Sequence, residues 1–327
     1  MLFEPQISRK PNLYPWSQDI IDALWTSHWT PNEFNFRADH AQFYSDLSEK
    51  ERGVIVRCLS AIGQIEIAVK RFWGDLGRNL PHPSLSDMGF VMANNEVIHN
   101  QAYEKLLDVL HLHEAFDECL KHPTLGGRVE YLRKYNDQVY TEDRRKQYIY
   151  AVILFSIFVE NVSLFSQFYI IMWFNRFRNV LKDTAQQVQY TRVEEETHFS
   201  AGKLLISTFR SEYPEYFDSE LEAKVISECE SSLAYELEII KWILEDYSGD
   251  NGLSVPVLSA YVKNRMYRSL SECGFSVGTL SEQESEHLLA SYWMDEDTKG
   301  VGMTDFFHKR PVDYAKNFRT YNEEDLF

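Results

Sequence analysis

Two Glu-x-x-His pairs carry the chemistry of this chain: Glu96 with His99, and Glu195 with His198. Each follows a lone glutamate set in apolar, helix-like sequence, Glu66 in IGQIEIAVK and Glu160 in FSIFVENVSLF. Residues three apart lie on one face of an α-helix, so each pair can offer a carboxylate and an imidazole to the same point. Four carboxylates and two imidazoles are hard-oxygen and borderline-nitrogen ligands, which suit iron or manganese better than a thiolate-loving metal. Two divalent ions would neutralise four carboxylates that would otherwise be costly to bury together. Six protein ligands for two ions leave positions open for water or an oxygen species. A single Glu-x-x-His is weak evidence of a metal. Two, each preceded by a glutamate with almost no solvent to reach, are hard to obtain by chance, and Glu160 is the most telling.

These residues must be held by helices. Dimetal four-helix bundles take one Glu from each of two helices and Glu-x-x-His from each of the other two. Lone Glu followed by Glu-x-x-His occurs twice here, so each half of the chain can supply one helical hairpin. The spacing predicts a short helix at 17–26 and a loop over 27–43. Ser48 with Glu51 forms a capping-box signature for a helix running to about residue 80, stopped by Pro81 and Pro83. A helix capped by Ser84 or Ser86 then reaches about residue 111. A connection crosses 122–127, with one or two helices before residue 140. A long apolar helix covers 144–181. Thr184 opens another that ends before Pro214, and two more cover about 218–247 and 255–273. The expected fold class is all-α, a ferritin-like four-helix dimetal bundle with additional helices. An irregular arm (1–16) precedes one helical domain (17–280), and a C-terminal segment and tail (281–327) follow.

The chain has 327 residues, with 50 Asp plus Glu against 33 Lys plus Arg and a formal net charge of −17. That charge argues against a nucleic-acid phosphate footprint. The four cysteines are dispersed, without C-x-x-C, and read as reduced buried thiols of a cytoplasmic protein. Residues 148–174 are long and apolar enough to span a bilayer. Glu160 near their middle would cost about 2.5–3.5 kcal/mol there, so a helix buried on all sides is expected instead.

Tyr103 shares the face of Glu96 and His99, where a buried phenol beside a redox centre can act as a one-electron donor. Lys70 and Trp73 share the face of Glu66, where a lysine can hydrogen-bond a ligand carboxylate or an incoming anionic oxidant.

At these positions the sequence resembles the small, radical-generating subunit of class I ribonucleotide reductases, from about residue 20 to the end. The resemblance implies metal ligands at Glu66, Glu96, His99, Glu160, Glu195 and His198, and a radical-bearing tyrosine at Tyr103. HWTPNEFNF resembles the family's tryptophan segment, which makes Trp29 the electron-transfer residue. TDFFHKRPVDY (304–314) resembles a further family segment, with His308 in place of the usual Glu. The acidic end NEEDLF resembles the tail that docks on the catalytic (alpha) subunit, with Tyr321, or alternatively Tyr314, as the interfacial redox tyrosine. Glu66 stands where many members have aspartate. Glu194 also replaces an aspartate, which leaves the wiring of Trp29 open. Glu66, Lys70 and Trp73 together resemble the class Id subgroup, implying two manganese ions as cofactor, with two iron ions as the alternative. The implied protein is a homodimer and an oxidoreductase of deoxyribonucleotide synthesis, without nucleic-acid or membrane partners. A stand-alone dimetal oxidase would instead need an apolar substrate channel and no acidic tail. A metal-storage or purely structural protein would show no redox activity.

Overall fold

The computed structural model describes residues 1–63, 66–137 and 140–294; of residues 66–68 and 136–137 only the backbone is described. Tyr314, Tyr321, His308 and the acidic tail lie outside the described residues. The chain divides into two units, Met1–Ala290 and Ser291–Phe327. The helices described below all belong to the first. They are α1 (Trp16–Thr26), α2 (Arg37–Ser45), α3 (Glu49–Gly63), α4 (Glu66–Gly74), α5 (Leu76–Asn79), α6 (Pro83–Leu110), α7 (His113–Leu120), α8 (Pro123–Asp137) and α9 (Arg144–Leu154). A π-helical segment (Phe155–Ser163) leads to α10 (Phe165–Arg178), α11 (Lys182–Glu212), α12 (Ser219–Ile243), α13 (Val255–Glu272) and α14 (Glu282–Leu289). No β-strand occurs among the described residues.

Local signals account for most helix ends. Ser48 and Glu51 form the expected reciprocal cap, with Ser48 N–H donating to Glu51 Oε2 at 2.9 Å and Glu51 N–H to Ser48 Oγ at 3.4 Å. Asp143 caps α9 by accepting from the N–H groups of Arg145 and Lys146, and Asp218 caps α12 by accepting from Leu221 N–H. Pro83 opens α6 from its first position. Its ring pre-sets φ there, so neither Ser84 nor Ser86 is needed as a cap.

Four expectations differ from the structure. Residues 37–43, the end of the stretch read as loop, belong to α2; it is polar and buries only Asp39 and Phe43, so it has no apolar stripe to detect. It is fixed instead by Asp39, which accepts from Thr184 N–H and Oγ1 at the start of α11. The helix expected to reach residue 80 is broken at Asp75, between α4 and α5. The connection expected at 122–127 is mostly helix, because Pro123 starts α8. The apolar helix expected over 144–181 changes to π-helix at Phe155 and resumes as α10. Among the cysteines, Cys58, Cys229 and Cys273 are buried and Cys119 is half-buried, and all four are free thiols. The arm at 1–16 is irregular but held down: Leu2 N–H and Tyr14 Oη both donate to Glu212.

The stretch Arg144–Arg178 is long and apolar enough to cross a membrane, and its most apolar 18-residue window is wholly buried within the protein. Against it lie α11 and α13, while α6 packs on α4 and α11. Close helix approach depends on two glycines. A Cβ at Gly89 of α6 would fall 2.5 Å from Trp73 O and 2.7 Å from Leu76 Cβ. A Cβ at Gly202 of α11 would fall 2.2 Å from Ser156 Oγ on the π segment. Lacking side chains there, α4 and α5 can press on α6, and the π segment on α11. The π segment is tied down by Arg128 of α8, a fully buried guanidinium that donates to Ser163 O, Ala61 O and Glu236.

Candidate metal centre

Three elements bring five of the predicted ligands together: α6 carries Glu96 and His99, the π segment Glu160, and α11 Glu195 and His198. All five are buried. One ligand atom from each of Glu96, Glu160, Glu195 and His198 lies within 4.8 Å of the others. His99 joins them, its Nδ1 lying 3.3 Å from Glu96 Oε2 and 3.4 Å from Glu195 Oε1. His198 Nδ1 lies 3.1 Å from Glu96 Oε1, 3.2 Å from Glu160 Oε2 and 3.4 Å from Glu195 Oε2. Glu96 and Glu195 therefore each turn one oxygen toward each imidazole, the disposition of bridging carboxylates. Glu66 opens α4 beside α6, and its side chain is outside the described residues.

The electrostatics are those of a cluster short of positive charge. Burial would raise Glu195, but hydrogen bonds from His198 and His99 outweigh it and hold the carboxyl well below the usual range. Glu96 is lowered in the same way, against burial and the charge of Glu195. Glu160 goes the other way, raised by burial and by Glu195. Burial alone would lower His198, yet hydrogen bonds to Glu160, Glu195 and Glu96 raise it well above its ordinary value. Protons on Glu160 and His198 thus take the place of cations among inward-turned carboxylates, and the donor set fits divalent transition metals.

A second layer of contacts orients this set. Glu194, fully buried, accepts at Oε2 from Trp29 Nε1 at 2.9 Å and lies 2.7 Å from His99 Nε2. Its Oε1 accepts from Asn95 Nδ2 at 2.6 Å. A carboxylate on Nε2 holds a proton there, so Nδ1, which without metal donates to Glu96 and Glu195, is the nitrogen that could give its lone pair to a bound ion. The Trp29 ring also stacks over His99, centroids 6.1 Å apart and planes 21° apart. The extra methylene of glutamate at position 194 still lets one carboxylate join tryptophan and histidine. Trp73 Nε1 donates to Glu160 Oε1 at 2.5 Å.

The profile of the family described as ribonucleotide reductase, small chain, matches residues 6–277. The chain belongs to that family. A probable ribonucleoside-diphosphate reductase small subunit of Invertebrate iridescent virus 3 is 25% identical over 322 residues, covering 94% of this chain and 84% of its own length. The ribonucleoside-diphosphate reductase subunit beta of Chlamydia pneumoniae is 23% identical over 315 residues, covering 93% and 88%. In fold, the ribonucleotide reductase R2 subunit from Clostridium botulinum superposes with a TM-score of 0.74 at 19% identity, covering 86% of this chain and 88% of that one.

In this small chain Tyr103 is buried on α6, one turn beyond His99. Lys70 is half-buried, and its Nζ donates to Asn100 Oδ1, on the residue after His99. Sequence reasoning passed over Asn95, Asn100, Gly202 and Arg128. Asn95 and Asn100 adjoin ligands in sequence, a signal that could have marked them as helpers. Gly202 and Arg128 act through partners that only the folded chain brings near.

Proposed function

We propose that this chain generates and holds the one-electron oxidant of a class I ribonucleoside-diphosphate reductase. It would pass that oxidant to a large catalytic subunit that makes deoxyribonucleotides. Membership of the small-chain family makes it the β component of an oxidoreductase, and small chains work with large ones. The observation that carries the reading is the convergence of Glu96, Glu160, Glu195, His99 and His198 in one buried site, joined through Glu194 to Trp29.

Two metal ions would be held by these five residues and Glu66, with Glu96 and Glu195 between them. Manganese is the proposed metal and iron the alternative, on the resemblance of Glu66, Lys70 and Trp73 to the class Id subgroup. When bound, two redox-active ions supply the one-electron oxidising power. The residues have distinct tasks. The apolar π segment excludes water from Glu160. Glu194 holds His99 in one tautomer and can take the indole proton of Trp29 when that ring loses an electron. Trp29 leads the hole outward toward Tyr321, with Tyr314 the alternative. The acidic tail docks on the large subunit, and two copies of this chain form the working homodimer.

Electron paramagnetic resonance on activated protein tests the metal and the oxidant together. A coupled dimanganese signal, with turnover retained in Tyr103→Phe, is expected. A sharp tyrosyl radical lost with turnover in that variant would replace manganese by iron and the metal oxidant by Tyr103. Deleting residues 315–327 should abolish turnover with the large subunit while metal content stays native; unchanged turnover would overturn the docking role of the tail.

A further inference from the structure

Among the described residues, π winding occurs only at Phe155–Ser163, and Glu160 stands inside it. Such winding, with hydrogen bonds from i to i+5, is rare and concentrates at functional sites. The sequence FSIFVENVS does not select it, so partners outside the segment must.

Two guanidiniums from different helices do so. Arg265 of α13, half-buried, donates from Nε to Asn161 O at 2.8 Å and from Nη2 to Asn161 Oδ1. It thus grips both the main chain and the side chain of the residue next to Glu160. Asn161 Nδ2 in turn donates to Ser269 Oγ, also on α13, at 2.6 Å. Arg128 of α8, fully buried, donates from Nη2 to Ser163 O at 2.9 Å, at the last residue of the segment. Its charge is met by Glu236 of α12, which accepts from Arg128 Nε at 2.8 Å. A buried ion pair adds little net stability over apolar residues of similar volume. What apolar residues could not supply is a donor to main-chain carbonyls.

The register these bonds fix decides where Glu160 points. Its Oε2 lies 3.2 Å from His198 Nδ1, and its Oε1 accepts from Trp73 Nε1 at 2.5 Å. Returning the segment to α winding shifts the helix by one residue, a rotation of about 100°. A turn of that size carries the carboxylate away from both partners.

We propose that Arg128 and Arg265 are positioning residues of the metal centre. Neither belongs to the ligand set. Acting through the carbonyls of Asn161 and Ser163, they hold the π winding, and the winding holds Glu160 at the cluster. Their loss weakens the ion site beside His198 and Glu160 and spares the one beside His99. The consequence for metal rests on the proposed dimetal centre; the hold on the backbone does not.

The test compares the native chain with Arg265→Met and with the charge-balanced pair Arg128→Met/Glu236→Leu. Titration with Mn(II), followed by the paramagnetic resonance of the free ion, counts the sites and gives their affinities. Crystals of the metal-free proteins show the winding. Native protein is expected to bind two Mn(II). Each variant should keep one site near native affinity and lose at least about tenfold at the other, as for residues that orient a ligand. The variant crystals should show residues 155–163 in α winding, with Glu160 turned away from His198. Arg265→Lys, which retains a donor for Asn161 O, should restore the second site. Folded variants that bind two Mn(II) with native affinities would overturn the proposal. So would equal weakening of both sites, the mark of general loosening, or unchanged π winding in either variant. Should the paired variant fail to fold, Arg265→Met decides by the same readings. A native chain that binds no Mn(II) would sink the proposed function, while the crystals would still judge the hold on the backbone.

Discussion

Replacing Glu194 by glutamine isolates one charge at the junction of Trp29 and the metal cluster. Glu194 accepts three hydrogen bonds, from His99 Nε2 at 2.7 Å, Trp29 Nε1 at 2.9 Å and Asn95 Nδ2 at 2.6 Å. A glutamine that keeps its carbonyl at the Oε2 position still accepts from His99 and Trp29. Its amide nitrogen then confronts Asn95 Nδ2, donor against donor. Asn95 Oδ1 has no hydrogen-bond partner among the described residues, so the Asn95 amide can flip and accept instead. The packing therefore survives, and the melting temperature should move by less than about 4 °C, as for a change near 1 kcal/mol in a domain of this size. What is lost is the negative charge behind His99. Removing such a partner typically weakens metal binding about 10–100-fold, or about 1.4–2.8 kcal/mol. Chelator competition with Mn(II) measures that affinity, and transient absorption follows Trp29 oxidation, which should slow because no carboxylate takes the indole proton. Native affinity together with a native rate of Trp29 oxidation would refute the role assigned to Glu194.

Other outcomes follow from the same geometry. Gly202→Ala should cost about 1–3 kcal/mol by overpacking, seen as a lower melting temperature, and adding Ser156→Gly should restore most of it. Trp73→Phe removes the donor on Glu160 Oε1 and should alter the paramagnetic resonance spectrum of the loaded centre while leaving the circular dichroism native. The pH dependence has a definite sign. His198 is raised above the ordinary histidine value, so its stabilising charge is fully present below about 6.5 and lost as pH rises through its folded value. Glu160, also raised, favours the fold when protonated and opposes it once ionised. Glu96 and Glu195 are lowered and act in the opposite sense, contributing above about pH 4.3 and losing that contribution as pH falls through their folded values. Between pH 6 and 8 the metal-free protein should therefore lose stability from this cluster. Melting with and without Mn(II) should show a larger metal-induced gain at pH 8 than at pH 6; equal gains would contradict it.

The ligand set was legible because helical spacing is a local rule: Glu and His stand three positions apart in each pair, and that alone puts them on one face. The apolar surroundings of Glu160 marked it as buried for the same local reason. Its π-helical backbone was not legible, since no residue in FSIFVENVS distinguishes π from α winding. That winding is held by Arg128 and by the side-chain gap at Gly202, both remote in sequence. The junction at Glu194 was half legible. Its position beside Glu195 marked it, but Trp29 in the loop after α1 and Asn95 and His99 on α6 decide what it bonds. Helix α2 escaped because a short polar helix held by one buried aspartate has no periodic apolar signature.

Anomalous diffraction from metal-loaded crystals, with elemental analysis of the same protein, tests the central claim most directly. Two transition-metal ions per chain are expected, one beside His99 and one beside His198 and Glu160, with Glu96 and Glu195 reaching both. A chain that takes up no transition metal under any loading condition, or that binds its ions away from these residues, would contradict the account.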